Sequence, residues 1–264
     1  MTYRIFIDGA VGTTGLQVHD RLDVHPGVSA AVLDDDMRKD SNARRAMMAE
    51  SDITILCLPD DAARESAALA DELGARVIDA SSAHRTANDW TYGFAELAPD
   101  AADKIAAARQ ISNPGCYPTG FLALARPLVD AGLICTDAKL VVSAISGYSG
   151  GGKSLIGRHE SGEMGAHSAY AVAMSHKHIP EMVSYTGLET KPIFMPAIGA
   201  FYAGMLVHLP LHAAQLAKSV SAADLHELLA AHYENTQFVR CLLYTSDAAD
   251  EGLGVDLGGR RIIK

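Results

Sequence analysis

Apolar and polar positions in the first half of the chain alternate in a regular succession of strands and helices. Short, nearly continuous apolar runs are typical of strands buried on both faces of a parallel sheet. Such runs occupy residues 4–8, 28–33, 53–58 and 76–80. Stretches with helical spacing separate them, and one of these ends on Gly74, a natural helix stop. The alternation predicts a doubly wound α/β sheet over about the first 115 residues.

The second half has longer apolar segments and a less regular pattern. Helices are predicted at residues 121–133 and after Ser221, which is a favourable N-cap residue. Strands are predicted at residues 139–145, and two more within residues 192–211. Residues 241–264 are charged and turn-like with little periodicity, so we expect an atypical tail there.

The composition bounds the class of protein. The chain has 264 residues, 48% hydrophobic and 20% charged, which suffices for one large or two smaller globular domains. A formal net charge of −10 argues against nucleic acid as a partner. No apolar run reaches membrane-spanning length, and the first residues lead into a strand rather than a signal peptide. Four cysteines without paired spacing indicate reduced thiols, so we expect a cytoplasmic protein without a membrane partner.

A glycine-rich turn joins the first predicted strand to the first helix. Gly9, Gly12 and Gly15 have the spacing G-x-x-G-x-x-G, with Thr13 and Thr14 inside it. This is a variant of the dinucleotide fingerprint, in which glycines let the backbone approach a diphosphate and a helix N-terminus supplies N–H donors. Glycine-rich turns are common, and the position between strand and helix is what favours a nucleotide site. We predict that these five residues bind a dinucleotide cofactor.

The residues after the second strand leave the choice of dinucleotide open. Acidic residues 34–36 favour the ribose 2′-hydroxyl of NAD, whereas Arg38 and Lys39 favour the 2′-phosphate of NADP. A solvated charged turn is a third explanation. Pro59 and Ser81 follow the next two strands, at the edge where open α/β sheets bind ligands. We expect both at the cofactor site.

One cysteine stands between a Pro-Gly turn and an apolar helix, in the sequence Ser-Asn-Pro-Gly-Cys-Tyr-Pro-Thr-Gly at residues 112–120. Pro118 suits the first helical turn, so Cys116 falls at the helix N-terminus. There the helix dipole and unpaired N–H groups lower a thiol pKa and make the thiolate nucleophilic. A buried structural cysteine is the alternative. We predict a catalytic nucleophile at Cys116 and a substrate-binding residue at Asn113.

A second glycine-rich loop follows the strand predicted at residues 139–145. Residues 147–154 match G-x-x-x-x-G-K-S, the phosphate loop of nucleoside triphosphatases. No later apolar strand ends in an acid that would hold the metal of such an enzyme. We therefore predict an anion cradle for the substrate, with a phosphate-loop ATPase and a flexible linker as alternatives. The substrate-binding residues expected here are Ser146, Gly147, Ser149, Gly150, Lys153 and Arg158.

Two histidines precede Pro180. Proline disfavours helical backbone in the residue before it, so an extended segment is expected, in which His176 and His178 point the same way. Either histidine could act as a general acid or base near neutral pH, and a structural role for both is the alternative. No metal site is predicted, because no further histidine or cysteine has ligand spacing.

These motifs together point to a family. The chain resembles the N-acetyl-γ-glutamyl-phosphate reductases in their shorter form, from about residue 3 to residue 240. The resemblance rests on the first glycine-rich turn, the cysteine motif and four further segments, at residues 57–62, 79–85, 146–153 and 176–181. The cysteine motif and the His-Lys-His-Ile-Pro-Glu segment are specific in combination, whereas the glycine-rich turn is not.

The resemblance implies a fold and a reaction. The fold is a Rossmann-type NADP-binding domain, residues 1–115, followed by an α+β catalytic and dimerisation domain of the semialdehyde-dehydrogenase type, residues 116–240. The reaction is the reduction of N-acetyl-L-glutamyl 5-phosphate to N-acetyl-L-glutamate 5-semialdehyde with NADPH, in arginine biosynthesis. Cys116 would carry the acyl group as a thioester. His176 is favoured over His178 as the base.

The same resemblance bears on the open alternatives. Arg38 and Lys39 fall where the family meets the extra phosphate of NADPH, and Tyr170 is a candidate helper of the base. A homo-oligomer, dimer or tetramer, is expected. Residues 241–264 lack the family's further strands and returning helix, so a truncated chain with a foreign tail is expected, and a truncated, inactive NADP-binding protein is an alternative. Aspartate-semialdehyde dehydrogenase shares the chemistry, but the histidine segment at residues 176–181 disfavours it.

Overall fold

The computed structural model describes residues 2–242 and divides them into two compact units. The first unit contains residues 2–115 and 151–161, and the second contains residues 116–150 and 162–242. The chain therefore leaves the second unit once, to add a short segment to the first. The tail expected from residue 241 onward lies, apart from its first two residues, outside the described part of the chain.

A parallel sheet forms the first unit. Its strands are β1 (Tyr3–Asp8), β2 (Val28–Ala31), β3 (Ile53–Leu56), β4 (Val77–Asp79), β5 (Thr91–Tyr92) and β6 (Gln110–Ser112). Its helices are α1 (Thr13–Asp23), α2 (Ser41–Ala49), α3 (Asp60–Glu72), α4 (Ala101–Ala107) and, from the added segment, α6 (Gly152–Glu160). The strand order is β2-β1-β3-β4-β6-β5, and every neighbouring pair is parallel. The order reverses at β1, so the carboxyl ends of β1 and β3 border the crevice in which such sheets bind nucleotides. This confirms the doubly wound sheet.

Residues at the ends of the helices in this unit explain where α2 begins and where α3 ends. The Asp40 carboxylate caps α2 by accepting the N–H groups of Asn42 and Ala43. Gly74, with φ of +64°, follows the end of α3, as its place in the sequence predicts. Apolar side chains buried between sheet and helices form the core, and they are Phe6, Met48, Leu56, Ala67, Ala70, Val77 and Trp90. Burial of each large side chain stabilises the fold by about 1.5–3 kcal/mol.

A mixed sheet forms the second unit. Its elements are α5 (Cys116–Asp130), β7 (Val141–Gly147), β8 (His167–Ala169), α7 (His178–Thr186), β9 (Ile193–Gly199), β10 (Met205–His208) and α8 (Ala222–His232). The strand order is β10-β7-β9-β8, with β7 and β9 parallel and both outer pairs antiparallel. The strands predicted at residues 139–145 and within 192–211 are confirmed. So is the N-cap at Ser221, which forms a reciprocal capping box with Asp224.

The two faces of this mixed sheet differ in exposure. Helix α5 packs against β10, α7 and α8, and Phe194 on β9 is buried. On either side of Phe194 along the strand, Ile193 and Met195 are 52% and 56% exposed, and Leu206 on β10 is 54% exposed. Side chains alternate between the two faces of a strand, so one face is covered and the other presents large apolar side chains.

The prediction of an extended segment around the two histidines is wrong. His178 is the first residue of α7, and Lys177 is its N-cap. Pro180 does not prevent this, because it lies in the first helical turn, where a missing N–H removes no intrahelical bond. The histidines are therefore not related by strand periodicity. The rings of His176 and His178 instead meet edge to face, with centroids 4.6 Å apart.

Candidate active site

Close backbone approach shapes the first glycine-rich turn. Gly9 has φ of +93°, and a Cβ there would overlap the carbonyl of Cys57, just after β3. A Cβ on Gly15 would overlap the Gly9 carbonyl, whereas Gly12 has room for one. Gly12 is the N-cap of α1 and provides no side-chain cap. The first N–H groups of α1 are thus left to another acceptor, so the turn fits the diphosphate of a dinucleotide.

A buried ion pair holds the strand that leads into this turn. Asp8, at the end of β1, is 3% exposed. Its Oδ2 accepts hydrogen bonds from Arg44 Nη2 at 2.7 Å and from Ser66 Oγ at 2.5 Å. Burial, reinforced by the charges of Asp8 and Asp79, raises the pKa of the Cys57 thiol to about 11, so that thiol stays protonated and inert. The sequence gives no local signal for these contacts, because Arg44 and Ser66 are 36 and 58 residues from Asp8.

The predicted cofactor residues around the turn occupy different positions. Arg38 lines a small cavity together with Gly9, Ala10, Val11 and Leu33. Its Nη1 is 3.8 Å from Asp35 Oδ1, and Lys39 beside it in sequence is exposed. Pro59 is the N-cap of α3 and is exposed. The structure therefore brings Arg38 to the glycine-rich turn, with Pro59 at the carboxyl end of the adjoining strand β3.

Ser81 takes part in a buried cluster at the end of β4. Asp79 is fully buried and accepts the main-chain N–H of Ser81 at 2.8 Å and its hydroxyl at 2.8 Å. His84 Nδ1 lies 2.6 Å from Asp79 Oδ2, the oxygen that also accepts the Ser81 hydroxyl, and the His84 ring stacks on Trp90 at 4.0 Å. Asp79 thus satisfies three donors and fixes the loop that follows β4.

This loop holds the turn that leads to the predicted nucleophile. The Asn113 N–H donates to the Asp79 carbonyl at 2.7 Å, and Arg85 Nε donates to the Asn113 carbonyl at 2.9 Å. Arg85 Nη2 also donates to the Ala80 carbonyl at 3.2 Å. Both main-chain groups of Asn113 are therefore engaged, which leaves its exposed side chain as the part able to meet a substrate. Arg85 lies in the segment at residues 79–85, and the sequence contains no pattern that predicts its contact with Asn113.

Cys116 is the first residue of α5 and is exposed, as expected for a reactive cysteine at a helix N-terminus. The next residue, Tyr117, is 2% exposed and anchors the helix. Its hydroxyl donates to Ser146 Oγ at 2.8 Å and approaches the Ala197 carbonyl at 3.1 Å. Tyr117 thereby ties the start of α5 to strands β7 and β9. The sequence does not predict that Tyr117 anchors the helix, because a tyrosine within an apolar helix is also typical of ordinary core packing.

Tyr170 and the two histidines lie around this anchor. The rings of Tyr170 and His176 are 5.7 Å apart, and those of Tyr117 and His178 are 5.8 Å apart. Burial, followed by a hydrogen bond with Tyr117, raises the pKa of Tyr170 above its usual range, and the charge of Cys116 adds to this. The structure thus brings Cys116, Tyr117, Tyr170 and His176 into one neighbourhood of the second unit.

The two histidines have different environments. His178 is 6% exposed, whereas His176 is half-buried. Burial, and then the charge of Lys177, lower the pKa of His176 below its usual value. The His178 main-chain N–H donates to His176 Nδ1 at 3.2 Å. A neutral His176 therefore carries its proton on Nε2, since Nδ1 acts as the acceptor.

The second glycine-rich loop uses its own N–H groups internally. The N–H groups of Gly147, Tyr148 and Ser149 donate to the carbonyls of Gly204, Phe201 and Tyr202, each at 2.9 Å. A Cβ on Gly147 would overlap the main chain at Tyr202. Residues 148–151 form one 3₁₀ turn that runs directly into α6. These three N–H groups do not form the wide phosphate cradle of a nucleoside triphosphatase.

Lys153 and Arg158 lie on α6, in the first unit rather than with the loop that precedes them. Lys153 Nζ donates to the Val11 carbonyl, inside the first glycine-rich turn, at 2.6 Å. Helix α6 packs against α1, and Arg158 is in its last turn. These two cations therefore belong to the first unit, and Ser146 and Gly147 belong to the second.

The described residues contain no group of three or more histidine, cysteine or acidic side chains placed to hold a metal ion. Within residues 2–242, no helix has both the length and the apolar character needed to cross a membrane.

Comparisons with known proteins agree with this arrangement. Residues 35–105 match the family model "Semialdehyde dehydrogenase, NAD binding domain", and residues 116–249 match "Semialdehyde dehydrogenase, dimerisation domain". Among solved structures, aspartate semialdehyde dehydrogenase II from Vibrio cholerae has a TM-score of 0.65 at 16% identity, over 86% of this chain and 78% of that chain. An aspartate semialdehyde dehydrogenase with NADP from Candida albicans has a TM-score of 0.58 at 15% identity, over 87% and 76%. Identities this low establish the fold alone.

Relatives of higher sequence identity among curated proteins identify the family. The N-acetyl-gamma-glutamyl-phosphate reductase 2 of Nostoc sp. is 43% identical over 245 residues, which are 90% of this chain and 76% of that protein. The enzyme of the same name from Pseudomonas putida is 45% identical over 243 residues, 90% and 77% of the two chains. The chain from Burkholderia orbicola named N-acetyl-gamma-glutamyl-phosphate reductase is 44% identical over 93% of this chain. The cysteine at a helix N-terminus, the nucleotide-type sheet and these identities together place the chain in the family of N-acetyl-γ-glutamyl-phosphate reductases.

Proposed function

We propose that this protein reduces N-acetyl-L-glutamyl 5-phosphate to N-acetyl-L-glutamate 5-semialdehyde with NADPH, as its relatives' names indicate. The observation that carries the proposal is the exposed Cys116 at the first position of α5, with Tyr170 and His176 in the same unit. A thiolate there attacks the acyl carbon, the C–O bond to phosphate breaks, and inorganic phosphate leaves with the electron pair. The product of this step is a thioester on Cys116.

Reduction of the thioester requires a hydride at the carbonyl carbon and a hydrogen-bond donor to the carbonyl oxygen. NADPH, when bound, supplies the hydride to the carbonyl carbon of the thioester. The carbonyl oxygen gains negative charge as the hydride adds, and a donor is needed to stabilise it. We assign this to His176 Nε2–H, because His176 Nδ1 already accepts the His178 N–H and because His176 is the more exposed of the two. The C–S bond then breaks, which releases the semialdehyde and regenerates the Cys116 thiolate.

Arg38 and the first glycine-rich turn support NADP(H) as the cofactor. The turn excludes a side chain at Gly9 and Gly15, so the backbone can approach a diphosphate closely. Arg38 lines a cavity that begins at this turn, which suits the 2′-phosphate that distinguishes NADP from NAD. We assign Lys39 and Pro59 to the same cofactor site. Ser81 helps to form the loop after β4 beside it.

We also propose a homo-oligomer in which a second copy covers the exposed face of the mixed sheet. Ile193, Met195 and Leu206 lie on this face, beside a groove of about 550 Å³. Large apolar patches are typical of protein interfaces, and the dimerisation family model spans the residues that form this sheet. A dimer is the smallest assembly that covers the patch, and Met195→Glu is expected to shift sedimentation toward the monomer. Reduced thiols are in keeping with a cytoplasmic location.

The direct test runs the reaction backwards. The chain is expected to reduce NADP in the presence of N-acetyl-L-glutamate 5-semialdehyde only when inorganic phosphate is added. Cys116→Ser should abolish this reduction and leave the affinity for NADPH, measured by fluorescence titration, unchanged. Reduction without phosphate, or ATP hydrolysis retained by Cys116→Ser, would contradict the proposal, the second in favour of a phosphate-loop ATPase.

A further inference from the structure

The segment that crosses into the first unit carries a charge to the cofactor turn. Residues 151–161 leave the second unit, and α6 packs against α1, the helix that follows the first glycine-rich turn. Lys153 lies in the first turn of α6 and is exposed. Its sequence context, G-x-x-x-x-G-K-S, would ordinarily direct the lysine to an anion held by its own loop.

The ammonium group instead contacts the other glycine-rich turn. Lys153 Nζ donates to the Val11 carbonyl at 2.6 Å. Val11 lies between Gly9 and Gly12, so the positive charge is held against the turn that precedes α1. An ammonium has three N–H donors, and this bond uses one of them. The other two N–H groups can donate to an anion bound over the turn.

The turn itself lacks charge. Residues 9–15 are Gly-Ala-Val-Gly-Thr-Thr-Gly, and the N-terminus of α1 offers the equivalent of about half a positive charge. A dinucleotide diphosphate carries two negative charges. The nearby Arg44 is committed to Asp8, with Nη2 at 2.7 Å. Lys153 therefore hydrogen-bonds to the main chain of the turn, whereas Arg38 lines the cavity beside it.

The hydrogen bonds of the second loop, at residues 147–152, argue against a phosphate site shared between this loop and Lys153. The N–H groups of Gly147, Tyr148 and Ser149 donate to carbonyls in residues 201–204. Three of the N–H groups that a phosphate cradle would share with its lysine are therefore already engaged.

We propose that Lys153 binds the diphosphate of the dinucleotide cofactor, not the phosphate of the acyl phosphate. The inference rests on the proposed function insofar as the cofactor is NADP(H). It reassigns the lysine of the phosphate-loop-like sequence from the loop that contains it to the glycine-rich turn at residues 9–15. Lys153 then binds the diphosphate, and Arg38 binds the 2′-phosphate on the adenosine ribose of the same cofactor.

The test compares two ligands that differ in the diphosphate. NADPH contains the diphosphate and the 2′-phosphate, whereas adenosine 2′-monophosphate contains the 2′-phosphate alone. In the full chain without substrate, Lys153→Met should weaken NADPH binding about 10-fold or more, as expected for loss of a charge-assisted contact. Binding of adenosine 2′-monophosphate, measured by calorimetry, should change less than about twofold. Lys153→Arg should keep NADPH binding within about threefold of the unmodified chain.

Two further variants make the result specific. Arg38→Ala should weaken both ligands, because both contain the 2′-phosphate. Lys104→Met removes an exposed lysine that pairs with Asp100 on α4, and should leave both unchanged. Lys153→Gln, with thermal unfolding of every variant, covers the case in which Lys153→Met perturbs the fold.

Three outcomes would overturn the assignment. If Lys153→Met and Lys153→Gln weaken both ligands equally, the lysine only shapes the turn. If NADPH binding is unchanged while the KM for the acyl phosphate rises, the lysine serves the substrate. If the unmodified chain binds no NADPH, the proposed function fails and this inference fails with it, an outcome distinct from the first two.

Discussion

The two glycine-rich loops have similar composition but use it differently. In the turn at residues 9–15, glycines are required where main chain meets main chain, and the N-terminus of α1 has no side-chain cap. In the loop at residues 147–152, the first N–H groups donate to residues 201–204. The first turn uses the Gly12 N–H internally, toward the Gly9 carbonyl, whereas the second loop uses its first three N–H groups within the fold. Glycine content alone therefore does not identify a binding loop. What distinguishes the two is the acceptor that each N–H group meets.

Removing the nucleophile should separate chemistry from binding most sharply. Cys116→Ala is expected to lower phosphate-dependent NADP reduction by roughly 1,000-fold or more. Cys116 is not among the residues assigned to cofactor binding, so NADPH affinity should remain within about twofold of the unmodified chain. Steady-state rates and NADPH fluorescence titration measure the two effects. A variant that retains turnover would remove Cys116 from the mechanism.

Glycine substitutions test the contrast between the loops directly. Gly9→Ala should destabilise the fold by about 2–3 kcal/mol, because the backbone has positive φ and the new Cβ overlaps the Cys57 carbonyl. Gly12→Ala is the matched control in the same turn, where the Cβ meets its nearest neighbour at 3.6 Å. It should lower NADPH affinity without a comparable loss of stability, as measured by urea unfolding.

The same comparison applies to the second loop. Gly147→Ala should destabilise the chain, because its Cβ would overlap the Tyr202 main chain, and Gly150→Ala should be tolerated with its nearest neighbour at 3.9 Å. Neither change should alter NADPH affinity. If Gly147→Ala weakened NADPH binding at unchanged stability, the distinction between a ligand loop and a structural loop would be lost.

Loss of one hydroxyl should have a moderate effect. Tyr117→Phe keeps the buried ring but removes the bonds to Ser146 and the Ala197 carbonyl, and should destabilise the chain by about 1–2 kcal/mol. The rate of Cys116 alkylation by iodoacetamide should change as well, because the start of α5 loses its tie to the sheet. Tyr202→Phe, at an exposed tyrosine, is the control and should change neither quantity.

The smallest expected effect concerns pH. Burial lowers the pKa of His176 in the folded chain, so the unfolded chain binds a proton more readily below the ordinary histidine value of about 6.5. Stability should therefore fall as pH drops through this value, and His176 should have no such effect above it. His176→Asn should slightly reduce the difference between the urea midpoints measured at pH 5 and at pH 7. His25→Asn, at an exposed histidine, should leave the difference unchanged.

Local patterns predicted much of the fold, and contacts between distant residues account for what they missed. The apolar runs predicted β1 to β4, and Pro118 correctly predicted that Cys116 begins a helix, because these features depend on neighbouring residues. The extended segment predicted before Pro180 is wrong, because the sequence alone does not distinguish a proline that follows extended backbone from one in the first turn of a helix. The contact of Lys153 with Val11 spans 142 residues, so no spacing rule could have indicated it.

The excursion of residues 151–161 has a consequence for biosynthesis. A nascent chain that has emerged only to residue 115 contains every strand of the parallel sheet but not α6. The first unit acquires its last helix only after β7 of the second unit has been synthesised. Cutting the gene between residues 115 and 116 would therefore yield an amino-terminal half without one of its own helices, and co-expression of the two halves would be required to restore it.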